Sequence, residues 1–293
     1  MVGAVRSDSG VRTMTAIPQL PARFSYSSAS RYRQCPLSWR FKYVERLPDP
    51  AGPPAVIGSF VHGCLEHFYQ QPGEQRTEGA LRDIAGKLWR TKNVAAELAA
   101  VGGDDERISK RDAWGLLRGL WEVEDPTGVA VVSTEERVTV NLAGVPLLAI
   151  IDRVEHVDGS QVVAADYKSG KLPDRRYHNS HVDQVHLYAA AKAAAGVGVD
   201  AVSVIYLKGQ VVREASTPDT KAEAAEALAC TWEQLIDSVE ADHFEPRPGP
   251  LCGWCPFIAQ CPAGQEEVAE RVAAGKMRSD APALEILETV VGG

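Results

Sequence analysis

The run "VPLLAIIDRVEHV" (145–157) and the run "SQVVAADYKSG" (160–170) that follows it decide how this chain must be read. Both are rich in β-branched and apolar residues, and the turn residues "DGS" part them, so they predict two antiparallel strands. Asp152 lies inside the first strand, Asp166 near the end of the second, and Lys168 two residues further on. Residues i and i+2 of a strand share a face, so Asp166 and Lys168 project together, and strand pairing can bring Asp152 alongside. Two carboxylates among apolar neighbours are costly to bury unless something positive lies between them. A hard divalent cation bound through oxygen, Mg²⁺ or Mn²⁺, suits such a pair. A lysine beside it is placed to orient a water or to stabilise charge on a phosphate oxygen.

Working outward, "VAVVSTEERVTVNL" (129–142) predicts a preceding strand joined by the short turn "AG", which makes a three-stranded meander. Downstream, residues 180–196 predict a helix ending at glycine, 200–215 two more strands, and 220–242 a long helix. Upstream, helices are expected over about 28–43, 56–71, 77–99 and 106–123, with the proline-rich "LPDPAGPPA" breaking the first from the second. Helices, a meander, a crossing helix and returning strands make an α/β core with a helical insertion or cap. Residues 1–22 are polar and aperiodic and read as a flexible arm, with Met14 an alternative start; residues 278–293 read as a tail.

Charge and cysteine usage narrow the function. A formal net charge of −8 argues against a protein that coats nucleic acid by bulk attraction, but two basic clusters stand out. One holds Arg31, Arg33, Arg40, Lys42 and Arg46, the other Lys168, Lys171, Arg175 and Arg176. The longest apolar runs are far too short to span a bilayer, and no charged-then-apolar leader opens the chain, so no membrane role and a cytoplasmic location are expected. Six cysteines in such a chain do not read as a disulfide framework. Cys64 and Cys230 read as buried small hydrophobes. The three cysteines of "LCGWCPFIAQCP" (251–262), namely Cys252, Cys255 and Cys261, read instead as part of a metal site that needs a fourth ligand, and Cys35 is the cysteine left over. Zn²⁺ and an iron–sulfur cluster both accept such a set. Prolines after Cys35, Cys255 and Cys261, and the lack of paired C-x2-C knuckles, lean towards iron.

The ordered set "GSFVHGCLEHFY" (58–69), "AIIDRVE" (149–155), "AADYKSGK" (164–171) and "QVHLYA" (184–189) resembles the motifs of the RecB-like branch of the PD-(D/E)XK nucleases over roughly residues 24–262. That resemblance implies a restriction-endonuclease-like α/β core, a central mixed sheet flanked by helices, with an N-terminal helical part and a C-terminal cysteine loop. It implies one nuclease domain over 23–277, with its helical part at about 23–125, its catalytic core at about 126–245 and the cysteine loop at 250–262 joined to Cys35. By the same resemblance His62, Asp152, Asp166 and the Tyr167 carbonyl would hold the Mg²⁺ or Mn²⁺. Asp152, Asp166 and Lys168 would be catalytic, Gln184 and Tyr188 would position the lysine, water or strand, and Glu66 would accept from the His62 imidazole. Ala149 stands where many relatives carry glycine. The cysteine pattern resembles the iron–sulfur subgroup that includes AddB and the CRISPR-associated exonucleases, implying a structural 4Fe–4S cluster at Cys35, Cys252, Cys255 and Cys261, with Zn²⁺ the alternative. The function implied is a metal-dependent DNA nuclease, single-strand-preferring and exonucleolytic, acting in repair or recombination and leaving 5′-phosphate and 3′-hydroxyl ends. DNA would meet Arg31, Arg33, Arg40, Lys42, Lys171, Arg175 and Arg176, with Tyr32, Trp39 and Tyr43 available for base stacking. No Walker A loop is present, so a helicase would act in trans. The rival function is a non-catalytic DNA-end-binding subunit of a helicase–nuclease or repair complex, and a redox-sensing cluster protein is the third.

Overall fold

The computed structural model describes residues 19–103, 105–174 and 179–286. Arg175 and Arg176, most of the expected arm and the end of the expected tail lie outside the described residues. Contacts divide the chain into two compact units, which it crosses between at Leu20/Pro21, Arg33/Gln34, Asp49/Pro50 and Gln234/Leu235.

The larger unit (21–33 and 50–234) is built on a five-stranded mixed sheet. Strands β1 (Ala130–Leu142), β2 (Val145–Val157) and β3 (Gln161–Lys168) form the expected antiparallel meander. β3 then pairs in parallel with β4 (Ala201–Tyr206), and β4 antiparallel with β5 (Gln210–Ala215). A parallel pair needs a crossover, which α8 (Asn179–Ala194) supplies. Register in the first hairpin starts at the turn Ala143–Gly144, whose φ values of 50° and 86° suit the type I′ geometry that matches strand twist. From the pair Leu142–Val145 the ladder then runs unshifted to Ser133–Val154.

Helix α3 (Pro53–Tyr69) begins with two prolines, favoured where the first amides need no partner. It buries Phe60, Cys64 and Phe68 at four-residue spacing against Ala165, Tyr167, Ile205 and Leu207. Further helices α4 (Glu78–Thr91), α5 (Val94–Ala100), α6 (Glu106–Arg118) and α7 (Leu120–Val123) follow. Two expected continuous helices are thus divided. Asn93 adopts a left-handed φ of 51° between α4 and α5. Gly119 parts α6 from α7 where a β-carbon would stand 1.8 Å from the carbonyl oxygen of Leu207, so only glycine fits.

A third division matters more. The helix expected over 28–43 is two, α1 (Tyr26–Gln34) and α2 (Pro36–Tyr43). Pro36 disfavours helical backbone at the residue before it, and Cys35 is extended at φ −162° and ψ 108°. Helix α2 belongs to the smaller unit (19–20, 34–49 and 235 onward), with 3₁₀ turns at Pro250–Trp254 and Ile258–Gln260 and α10 (Pro262–Ala273). There Trp39 stacks on Phe244 at 5.9 Å and Phe41 meets Phe257 edge-on at 5.6 Å. Tyr32 and Trp39 are therefore core residues of their units and not the stacking platforms expected, whereas Tyr43 is exposed. Cys64 is buried as expected, but Cys230 is exposed. On α9 (Pro218–Glu240) the buried stripe runs through Leu228, Thr231 and Leu235, and Cys230 falls off it.

Candidate active site

The last ladder pair between β2 and β3 is Arg153–Ala165. Beyond it the Asp152 side chain takes over from backbone pairing, accepting the Tyr167 N–H at 2.8 Å through Oδ2. The same oxygen lies 3.2 Å from His62 Nδ1 on α3. Asp166, 2% exposed, holds Lys168 Nζ 2.7 Å from its Oδ2. The angle of that contact is poor, and Oδ2 is left buried without a hydrogen bond. Gln184 ties the group together from α8: its Oε1 accepts from Lys168 at 2.9 Å, and its Nε2 donates to Asp166 Oδ1 at 3.0 Å and to the Tyr188 hydroxyl. Four residues separate Gln184 from Tyr188, one turn of the same helical face.

The electrostatics follow from crowding acids in a half-closed place. Burial, then the charge of Asp152, pushes the Asp166 carboxyl up to about 6, against the pull of Lys168 and His62. Burial works against a charged His62, but its hydrogen bond to Asp152 and the charges of Asp152 and Asp166 outweigh that and hold its pKa above the ordinary value. An acid excess, an imidazole, and a buried carboxylate oxygen with no hydrogen bond form a donor set that fits a divalent cation.

Most of the expected site residues meet here: His62, Asp152, Asp166, Tyr167, Lys168, Gln184 and Tyr188. Glu66 does not hold the imidazole. Its carboxylate contacts Gln70 Nε2 at 3.5 Å, while His62 turns to Asp152. One acid was missed. Glu135 of β1 has its carboxylate among the ligand atoms of His62 and Asp152, all within 4.8 Å of one another. The signal was the turn itself: Glu135 precedes Leu142 by seven residues and Asp152 follows Val145 by seven, so the unshifted ladder sets them opposite each other.

Among the expected DNA contacts, Lys171 is exposed shortly after Lys168, and Arg31 and Arg33 are half-buried on α1. In the smaller unit Arg40 pairs with Glu45 at 2.9 Å and Asp242 at 2.7 Å, and Lys42 with Asp49. That unit also gathers the four cysteines. Burial raises the Cys255 and Cys261 thiols, and neighbouring sulfurs, Cys35 and Cys252 included, add to the rise. Amides of Gly249 and Gly264 point at the sulfurs of Cys252 and Cys261 at 3.4 and 3.3 Å.

The mixed sheet flanked by helices agrees with the comparisons. The sequence pattern of the PD-(D/E)XK nuclease superfamily matches residues 23–262, and the chain belongs to that superfamily. Its members are phosphodiester hydrolases that use divalent metals. The fold is similar to that of a candidate exonuclease from Eubacterium rectale, at 13% identity and a TM-score of 0.51, covering 77% of this chain and 84% of that one. SSO0001 is 12% identical with a TM-score of 0.36, over 84% of this chain and 89% of its own. No curated protein sequence matches. No helix among the described residues is long and apolar enough to cross a membrane.

Proposed function

We propose that the protein is a Mn²⁺- or Mg²⁺-dependent DNA exonuclease that prefers single strands and carries a structural 4Fe–4S cluster. The observation that carries the nuclease reading is the Lys168–Asp166–Gln184 triangle beside Asp152 and His62. Asp152, Asp166, His62 and the Tyr167 carbonyl would hold the cation, and one imidazole among oxygens favours Mn²⁺ over Mg²⁺. When bound, that ion would polarise the scissile phosphate and acidify a water. Lys168 supplies a fixed ammonium that aligns the attacking water and offsets charge on a phosphate oxygen. Gln184 removes its freedom to swing away by holding it 2.9 Å from its own Oε1, and Tyr188 anchors Gln184 in turn. Such positioning of donors before reaction is the main source of rate in phosphoryl chemistry.

The cluster reading is supported by the four cysteines Cys35, Cys252, Cys255 and Cys261 and by the prolines that follow Cys35, Cys255 and Cys261.

The test is cleavage of end-labelled single-stranded DNA by anaerobically purified protein with Mn²⁺, beside the Lys168→Ala variant. Metal-dependent cutting that falls by about 100- to 1,000-fold in the variant is expected. Protein that is folded and binds the strand but cuts with neither metal would favour a DNA-end-binding subunit instead. Iron and sulfide assays on the same preparation, expected at four of each per chain, would reject the cluster if zinc were found in their place.

A further inference from the structure

We propose that Glu135 is a direct ligand of the divalent cation, so that His62, Glu135 and Asp152, from α3, β1 and β2, make a three-pronged entry face of the site. The inference rests on the metal dependence proposed above and adds a residue outside the motifs that carry the resemblance.

Several independent features of Glu135 point the same way. Its register sets it opposite Asp152, between the pairs Thr134–Arg153 and Glu136–Ile151. Like charges facing each other across a strand pair are destabilising, so two acids there call for a cation between them. Neither of the nearby basic side chains plays that part. His62 gives its short contact to Asp152, and Arg137 on β1 is exposed. No hydrogen bond or ion pair within the 4 Å range closes on the Glu135 carboxylate among the described residues, although its atoms lie within 4.8 Å of those of His62 and Asp152. Neighbouring ligands of an octahedral Mg²⁺-like ion lie about 3 Å apart, so three ligand atoms within 4.8 Å of one another close on one ion with small side-chain movements.

The backbone adds a further sign. Glu135 sits at φ +48° within a strand, where glutamate is rare and Gly or Asn would be at ease. Such conformations persist where the side chain is needed, and they cluster at ligand sites. Asp166 is not part of this three-residue convergence; it is engaged with Lys168 and Gln184. The four acidic and imidazole groups therefore divide in two. Asp166 faces the lysine, Glu135 faces the histidine, and Asp152 lies between and serves both sides.

The experiment is calorimetric titration of Mn²⁺ into the DNA-free, cluster-loaded protein, comparing wild type with Glu135→Gln, Glu135→Gly and Glu66→Gln. Glu66→Gln removes one nearby negative charge that is not placed as a ligand and serves as the control for through-space attraction. Glu135→Gln is expected to weaken Mn²⁺ about tenfold or more, and Glu66→Gln less than about threefold. Glu135→Gly should lose the same affinity while the metal-free protein melts no lower than wild type, because the left-handed backbone is relieved. Equal, small losses for Glu135→Gln and Glu66→Gln would overturn the proposal, as would unchanged Mn²⁺ affinity in Glu135→Gln. Failure of the nuclease reading looks different: wild type would bind Mn²⁺ with Glu135 contributing, yet cut no DNA. Wild-type protein that takes up no Mn²⁺ at all would overturn both.

Discussion

Asp152 and Arg153 are neighbours in β2, point to opposite faces of the sheet, and end in opposite electrostatic situations. Arg153 is fully buried and met by two acids, with only its Nε left without a hydrogen-bond partner. Its guanidinium reaches Glu124 at 2.7 and 2.8 Å, Glu155 at 2.8 Å and the Tyr167 hydroxyl at 2.9 Å, and it lies 4.6 Å over the ring of Tyr69. Burial opposes ionised Glu124, but the hydrogen bonds and charge of Arg153 more than offset it and hold its carboxyl below the usual range. Asp152 instead joins Asp166 and Glu135 in an acid excess met by one lysine and one imidazole. A network that is closed within the chain stabilises the fold, whereas one left with surplus negative charge is ready for a cation. Two adjacent residues thus mark the two sides of the sheet as structural and chemical.

Substitutions can break that contrast, and the largest effect falls on the closed side. Arg153→Ala leaves Glu124 and Glu155 buried without their shared cation and should cost about 3–5 kcal/mol in urea unfolding. A loss under about 1 kcal/mol would mean that the network is not what holds this face. On the open side the sign for stability reverses. Asp152→Asn should leave the metal-free protein as stable as wild type or more so, because a repulsive charge is gone, while cleavage falls about 100- to 1,000-fold. If stability drops sharply instead, Asp152 is a structural acid. Gln184→Ala should slow cleavage by about tenfold, since Lys168 keeps its charge but loses its restraint. Tyr188→Phe, one contact further out, should slow it by less than about threefold, with KM unchanged. A Tyr188→Phe effect equal to that of Gln184→Ala would place the tyrosine at the substrate and not behind the glutamine.

The strands and the acid–lysine pair were legible because period-2 alternation and short turns are local signals. "AADYKSG" states by itself that Asp166 and Lys168 share a face. The helices were legible as elements but not as to their breaks. Pro36 could have announced the division at Cys35, since proline restricts the residue before it, whereas Gly119 breaks its helix only because the Leu207 carbonyl arrives from a distant strand. Cys230 went astray because an alanine-rich helix hides which stripe is the buried one. Glu66 was placed by one-turn spacing from His62, but one-turn spacing brings side chains near without choosing which of two acids the imidazole will take.

The sequence by itself determined the order and type of the strands, the carriage of Asp152, Asp166 and Lys168 on them, the four-cysteine pattern, and the ordered motifs of the superfamily. These depend on neighbours within a few residues, where dihedral preference and periodicity act directly. Tertiary structure alone decided that β2 and β3 part beyond Arg153, that Gln184 clasps both Lys168 and Asp166, that Arg153 is neutralised while Asp152 is not, and that Glu135 enters the site. Each of those depends on groups brought together across long stretches of chain, and the energy of a charge is set by everything that surrounds it once water is excluded.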